Sequence, residues 1–229
     1  MKILKFYSNL RYNNSGNLIP AKRAIPIWFK NAESSFLPPQ GTTEESGLKK
    51  CMPFLDALVS GYYLTMPANI TIKRMDDGSV EFSSDDPLFS DFLGERLGDI
   101  GSTMPRPEGF MQNHFIFKNI WSWKTPRGWS ILVTHPLNSW DLPFVTSSAI
   151  MDSDEFVGPG NIPFFLNASF EGVIPKGTPI AHLIPIKRSA WKSIENDQSL
   201  KDVADTKVHI VRGETTPYKK IMWHRKKFD

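Results

Sequence analysis

Trp129-Ser130-Ile131-Leu132-Val133-Thr134 and, further on, Ile180-Ala181-His182-Leu183-Ile184-Pro185-Ile186 decide the fold. In the first stretch Ile131 and Val133 alternate with Leu132, and the second is a near-continuous apolar run. Buried strands read this way, so both are expected as interior strands. Around them lie further strand candidates at 111–117, 121–123, 144–151 and 162–168. Thr125-Pro126-Arg127-Gly128 and Pro175-Lys176-Gly177 supply the turn chemistry between some of them. Regular short strands with Pro/Gly turns predict an antiparallel sandwich or barrel over 111–188. Upstream, 70–74 and 79–82 flank Asp77-Gly78, a hairpin signal. The spacing of Phe54, Leu55, Leu58 and Val59 predicts a helix over 49–60, with Gly61 as its stop. Tyr62-Tyr63-Leu64 then turns to strand-type residues.

At 229 residues the chain fits one large domain, or one with an embellishing insertion. Hydrophobic residues at 40% and charged residues at 22% are ordinary for a globular protein and exclude a disordered chain, a collagen-like fibre and a long coiled coil. Proline (18) exceeds glycine (15), which favours many short segments. Aromatic residues at 12% favour a β-rich core. The expected organisation is an irregular N-terminal segment at 1–50 and a β-domain at 51–188. A loop-rich acidic insertion or lid is expected at 85–110. A C-terminal region at 189–229 is expected to hold a helix at 189–203, a strand at 208–211 and a basic, aromatic tail. A net charge of +3 does not by itself predict nucleic-acid binding. The lone Cys51 cannot form an internal disulfide, so nothing points to an oxidising compartment. No stretch has the apolar length of a signal peptide or a membrane helix, and the expectation is a soluble protein made in a cytoplasm.

Several residues carry chemistry in one reading and packing in another. Asp152 and Asp154, two apart, would share one strand face. There Asp152 could activate water while Asp154 orients a sugar or a metal-bound water; the same pair could also end a strand and satisfy turn amides. His135 and His182 suit an acid–base or metal role, or a satisfied structural one. No His-x-His or His-Glu-x-x-His spacing singles out a metal. Trp121, Trp123 and Trp129 suit a base-stacking platform or a packed core. Cys51 is expected as a buried helix residue. Tyr218, Ile221, Met222, Trp223 and Phe228, interleaved with basic residues, predict a tail that docks on the protein itself or on a neighbouring subunit.

Two resemblances add to this. Trp-x-Thr-Pro-x-Gly-Trp at 123–129, with Thr134-His135-Pro136-Leu137-Asn138, Ile174-Pro175-Lys176-Gly177-Thr178-Pro179-Ile180 and the earlier Lys50-Cys51-Met52-Pro53-Phe54-Leu55-Asp56-Ala57-Leu58, resembles a family of uncharacterised proteins of tailed phages of marine bacteria. More distantly, Ile150-Met151-Asp152-Ser153-Asp154 followed by Gly158 is similar to the Gly-Val-Ile-Asp-x-Asp-Tyr-x-Gly motif of trimeric dUTPases. Gly177-Thr178-Pro179-Ile180-Ala181-His182-Leu183 resembles their Gly-Asp-Arg-Ile-Ala-Gln-Leu motif, and Thr125-Pro126-Arg127-Gly128-Trp129 the turn before their second motif. Ser60-Gly61-Tyr62-Tyr63-Leu64 resembles a remnant of their first motif. In dUTPases and dCTP deaminases these motifs lie on a β-clip barrel.

The resemblance implies a mainly β, β-clip-like barrel or sandwich with a few short helices. It also implies a homotrimer and a cleft for a nucleotide or other small ligand. Asp152 and Asp154 would be catalytic there, and His135, Asn138, Phe156 and His182 would contact ligand. No metal is specified, and Mg2+ is the ion to expect if the protein hydrolyses nucleotides. The phosphate-gripping Arg-Ser pair of the family has no counterpart in His135-Pro136-Leu137-Asn138-Ser139, and the glycine-rich final motif is missing. Without the planar, permanently charged arginine much pyrophosphate affinity should be lost. The family's stacking tyrosine falls on Glu155 or Phe156. The alternative expectation is therefore a non-enzymatic virion structural or assembly protein. The host cytoplasm or the virion is the expected location.

Overall fold

The structure, a computed structural model, describes residues 2–9, 12, 17–96, 104–195 and 218–228. The chain divides into two compact units. The first comprises Met1–Ala24, Leu58–Arg188 and Phe228–Asp229, and the second Ile25–Ala57 and Ser189–Lys227.

Strands are numbered in chain order. In the first unit a five-stranded antiparallel sheet runs β13 (Ala149–Met151), β11 (Trp129–Thr134), β16 (Pro179–Lys187), β5 (Tyr62–Thr65) and β2 (Leu18–Pro20). The two apolar stretches, now β11 and β16, are thus neighbours near its middle, with Val133 opposite Leu183 and Thr134 opposite His182. A four-stranded sheet orders β12 (Phe144–Thr146), β14 (Ile162–Leu166), β9 (Phe115–Phe117) and β8 (Leu93–Glu95). A third sheet holds β15 (Gly172–Ile174), β6 (Ile70–Arg74) and β7 (Val80–Ser84), and β1 (Lys5–Ser8) pairs with β10 (Trp121–Lys124). All these ladders are antiparallel. The fold is mainly β and sandwich-like rather than a closed barrel.

Period-two alternation builds the core. Ile131 and Val133 of β11 and Leu183 of β16 point to one side of the five-stranded sheet. They join Phe115, Phe117, Phe144 and Phe164 of the four-stranded sheet and Ile70, Ile72 and Ile174 of the third. The Asp77-Gly78 hairpin forms as expected, with Gly78 at φ 82°. Gly61 at φ 72° has a harder constraint: a Cβ there would sit 2.1 Å from the Leu183 carbonyl oxygen. Only glycine allows the chain leaving the helix to lie this close to β16.

Several sequence expectations need correction. The N-terminal segment is not irregular throughout: β1 and β2 belong to sheets, and Ala21 is fully buried. The acidic segment 85–110 is not outside the core, because Phe89, Phe92 and Leu93 are core residues. Its charges mask an apolar set with no simple period. The run 144–151 is two strands in different sheets, with Ser147 and Ser148 at the crossing. Within 111–117 only β9 is a strand. No helix forms over the described part of 189–203, residues 189–195. The remainder of that segment and the expected strand at 208–211 lie outside the described residues.

In the second unit β3 (Ser35–Phe36) pairs with β4 (Glu45–Ser46), and α1 (Ile27–Asn31) precedes them. The second helix, α2 (Met52–Val59), begins here, and its Phe54 stacks on Phe29 at 5.9 Å between ring centroids. Cys51 is exposed, not buried as expected, because it precedes this helix. The C-terminal tail docks on its own chain: Trp223 Nε1 and Lys226 Nζ both donate to Asp56 Oδ2, at 2.9 and 2.6 Å.

Candidate functional site

The Thr125–Trp129 turn and the residues after β13 form one polar site at an end of the five-stranded sheet. Trp129 N–H donates to the Pro126 carbonyl at 3.1 Å, and Gly128 adopts φ 79°, which is type II turn geometry. Past Met151 the chain leaves the ladder, and the Phe156 and Glu155 amides donate to the Asp152 carbonyl. Asp152 and Asp154 therefore lie on a turn rather than a strand face. The two turns are tied together. Thr125 Oγ1 and Ser153 Oγ are 3.0 Å apart, and Thr125 N–H donates to the Ser153 carbonyl.

Arg188 brings the two carboxylates into one network. Its guanidinium grips Asp154 with both terminal nitrogens, one bond at 2.7 Å to Oδ1 and a shorter one to Oδ2. Gly128 N–H donates to Asp154 Oδ2 at 2.7 Å. Asp152 Oδ1 accepts from Ser130 Oγ at 2.6 Å and lies 3.2 Å from the same Arg188 nitrogen. The Asp154 side chain is only 3% exposed, whereas Asp152 remains 62% exposed. Such a fork is the strong form of an ion pair. The Arg188 hydrogen bonds first, and then the Gly128 amide against the opposing effect of burial, hold the Asp154 carboxyl at about 2.

A carboxyl depressed below its ordinary 3.8 contributes stability above that value and loses it as the pH falls toward about 2. Arg188→Leu, which leaves Asp154 buried and uncompensated, is therefore expected to lower the melting temperature at pH 7. The gap to wild type should narrow below roughly pH 3 as the carboxyl protonates. An equal gap at both pH values would remove this account.

The other candidate residues lie elsewhere. His135 follows β11 at its far end, about four strand residues or ~13 Å along from Ile131, which pairs with Met151 beside Asp152. Its Nδ1 accepts from Thr146 N–H at 3.2 Å, so Nε2–H donates to the Ser139 carbonyl at 2.8 Å. The ring clamps the 136–139 turn to β12, and Asn138, at φ 59°, is the left-handed residue of that turn. His182 is fully buried, donates from Nε2 to the Ser60 carbonyl and packs on Tyr63 at 4.5 Å between rings. Phe156 is 53% exposed after the acidic turn. Within the chain the structure thus joins Asp152 with Asp154, and places His135, Asn138 and His182 apart from them. Among the described residues no group of three or more His, Cys, Asp or Glu could hold a metal. Of the three tryptophans, Trp123 is core, Trp121 donates from Nε1 to Asn17 at 2.6 Å, and Trp129 lies under Lys2.

Arg188 and Ser130 are the site residues that sequence reasoning passed over. One signal was available. A long buried strand ending in Lys187-Arg188, antiparallel to Trp129-Ser130, carries its cation past the turn that opens β11.

No protein-family model matches the chain, and no curated protein does. Among solved structures it is similar to a variant dUTPase from phage phi11 of S. aureus, at 14% identity and a TM-score of 0.30, over 47% of this chain and 98% of that one. It is also similar to the EIAV dUTPase, at 13% identity and a TM-score of 0.29, over 58% of this chain and 98% of that one. A Staphylococcus bacteriophage 80alpha dUTPase gives 13% identity and a TM-score of 0.27, over 48% and 90%. Among the described residues no helix is long and apolar enough to cross a membrane.

Proposed function

We propose that the protein is a non-hydrolytic, homo-oligomeric interaction module, a virion or assembly component of a tailed phage. The observation that carries this reading is Arg188. It occupies both oxygens of Asp154 and one of Asp152, so the pair that would hold the attacking water is engaged in an ion-pair network instead. His135 through both ring nitrogens and His182 through Nε2 are likewise committed to backbone partners. Beside the network stand Ile150, Phe156 and Val157, which are 65%, 53% and 46% exposed. Large apolar side chains on and just after β13, which among the described residues is an edge strand of the five-stranded sheet, suit a subunit contact better than open water.

Light scattering tests the assembly. The expected mass is three times 26.0 kDa, and a monomer overturns the oligomeric reading. Incubation with each deoxynucleoside triphosphate, with and without Mg2+, tests the chemistry. No turnover is expected. Hydrolysis by the wild type that Asp152→Asn abolishes would overturn the non-enzymatic reading, since losing a general base costs about 10²–10⁴-fold in rate. A second reading, nucleotide or small-ligand binding at Asp152, is favoured by its side chain, which is 62% exposed and makes its contacts to Ser130 and Arg188 through Oδ1.

A further inference from the structure

The strand pair β1–β10 and the Thr125–Trp129 turn line a groove of about 570 Å³ that carries four cations: Lys2, Lys5, Lys124 and Arg127. Lys5 and Lys124 are direct cross-strand partners, so their side chains leave the same face of the pair. Like charges set opposite each other destabilise a strand pair. Arg127 occupies the tip of a turn that Asp154 and Arg188 fix from behind, through Gly128 N–H and through Arg188 N–H to the Gly128 carbonyl. Among the described residues none of the four cations forms an ion pair, while acidic groups elsewhere in the chain are paired with Lys118, Arg188 and Lys226.

A second pocket, of about 230 Å³, adjoins this groove and shares Lys2, Ile3, Thr125 and Pro126 with it. Its walls include the rings of Tyr62, Trp129 and Phe228. Lys2 Nζ sits 5.2 Å from the Trp129 ring centroid, at the boundary between the two. A basic groove opening onto an aromatic pocket is complementary to one kind of small molecule: closely spaced anionic groups joined to a flat ring.

We infer that this composite site binds a ligand carrying two or more adjacent phosphates and a flat, largely apolar ring. The phosphates bridge Lys5, Lys124 and Arg127 and relieve the Lys5–Lys124 opposition. The ring enters between Trp129 and Tyr62. Affinity comes chiefly from charge, so it falls as salt rises. The inference goes beyond the interaction-module reading and is independent of oligomer mass and of turnover.

The test is thermal shift of the full chain at low salt with tripolyphosphate, adenosine, ATP and a single-stranded oligonucleotide as probes. Tripolyphosphate should raise the melting temperature, ATP should do so at lower concentration, and adenosine alone should not. Lys124→Glu sets opposite charges across the strand pair. The unliganded variant should melt no lower than wild type, yet its tripolyphosphate affinity should fall about tenfold or more, as expected for a lost charge-assisted contact. Arg127→Gln, at an exposed turn position, should weaken tripolyphosphate as well. No shift with tripolyphosphate, or wild-type affinity in both variants, overturns the site. ATP binding no better than tripolyphosphate overturns the ring pocket. An oligonucleotide outcompeting ATP overturns the small-ligand assignment in favour of a nucleic-acid backbone.

Discussion

Phe117→Ala is expected to destabilise the protein by about 3–5 kcal/mol, the range for truncating a fully buried phenylalanine. Phe117 is inaccessible and sits on β9, an inner strand of the four-stranded sheet. Its ring stacks on Phe164 at 4.0 Å between centroids and meets Phe144 edge-on at 5.4 Å, with Phe92 at 6.2 Å. Alanine would leave three large rings around a cavity that rigid neighbouring strands cannot close. In a chain of this size each kcal/mol moves the melting temperature by about 2–4 °C, so a fall of roughly 6–20 °C should appear in far-UV melts. Phe117→Leu, which keeps most of the volume, should cost about 1.5 kcal/mol or less. If alanine and leucine melted alike, cavity formation at the centre of the core would be the wrong description.

Interior strands such as β11 and β16 were legible because Ile131, Val133 and Leu183 repeat in a pattern set by burial alone. The Asp77-Gly78 hairpin was legible because its turn needs a positive φ. The contribution of 85–110 to the core was hidden: Phe89, Phe92 and Leu93 follow no simple period and lie among acidic residues. Sheet membership was hidden too, since nothing local in 144–151 says that the chain changes sheet at Ser147. At the candidate site, Asp152, Asp154 and the Thr125–Trp129 turn were readable as local motifs, and they do meet. Arg188 was not, because its role depends on the register of β16 against β11, a long-range property. His135 and His182 were readable as satisfied structural histidines, but what satisfies them was not. Their partners are backbone carbonyls and an amide, which leave no trace in residue types.

Lowering the pH from 7 to about 4 is expected to remove about 3 kcal/mol of stability through His182 alone. Burial, against the weaker opposing effect of the Ser60 carbonyl, pushes this imidazole from its ordinary 6.5 down to about 4. The sign follows from which state holds the proton. Between those values the unfolded chain is protonated and the folded chain is not, so stability is complete above 6.5 and drains away as the pH falls toward 4. The geometry gives the cause. Nε2–H already donates to the Ser60 carbonyl, and Nδ1 has no partner among the described residues. A second proton would thus place a charged donor against Tyr63 with nothing to receive it. His135 and His114 are shifted down as well, each first by burial, and add loss in the same direction. Asp154 does not contribute in this window, because its own loss lies below 3.8. His182→Gln, which can still donate to Ser60, should flatten the stability profile between pH 7 and 4 while leaving the Asp154-dependent fall at lower pH in place. A wild-type melting temperature unchanged from pH 7 to 4, or an equally steep fall in the glutamine variant, would show that His182 is not held neutral between β16 and the Ser60 turn.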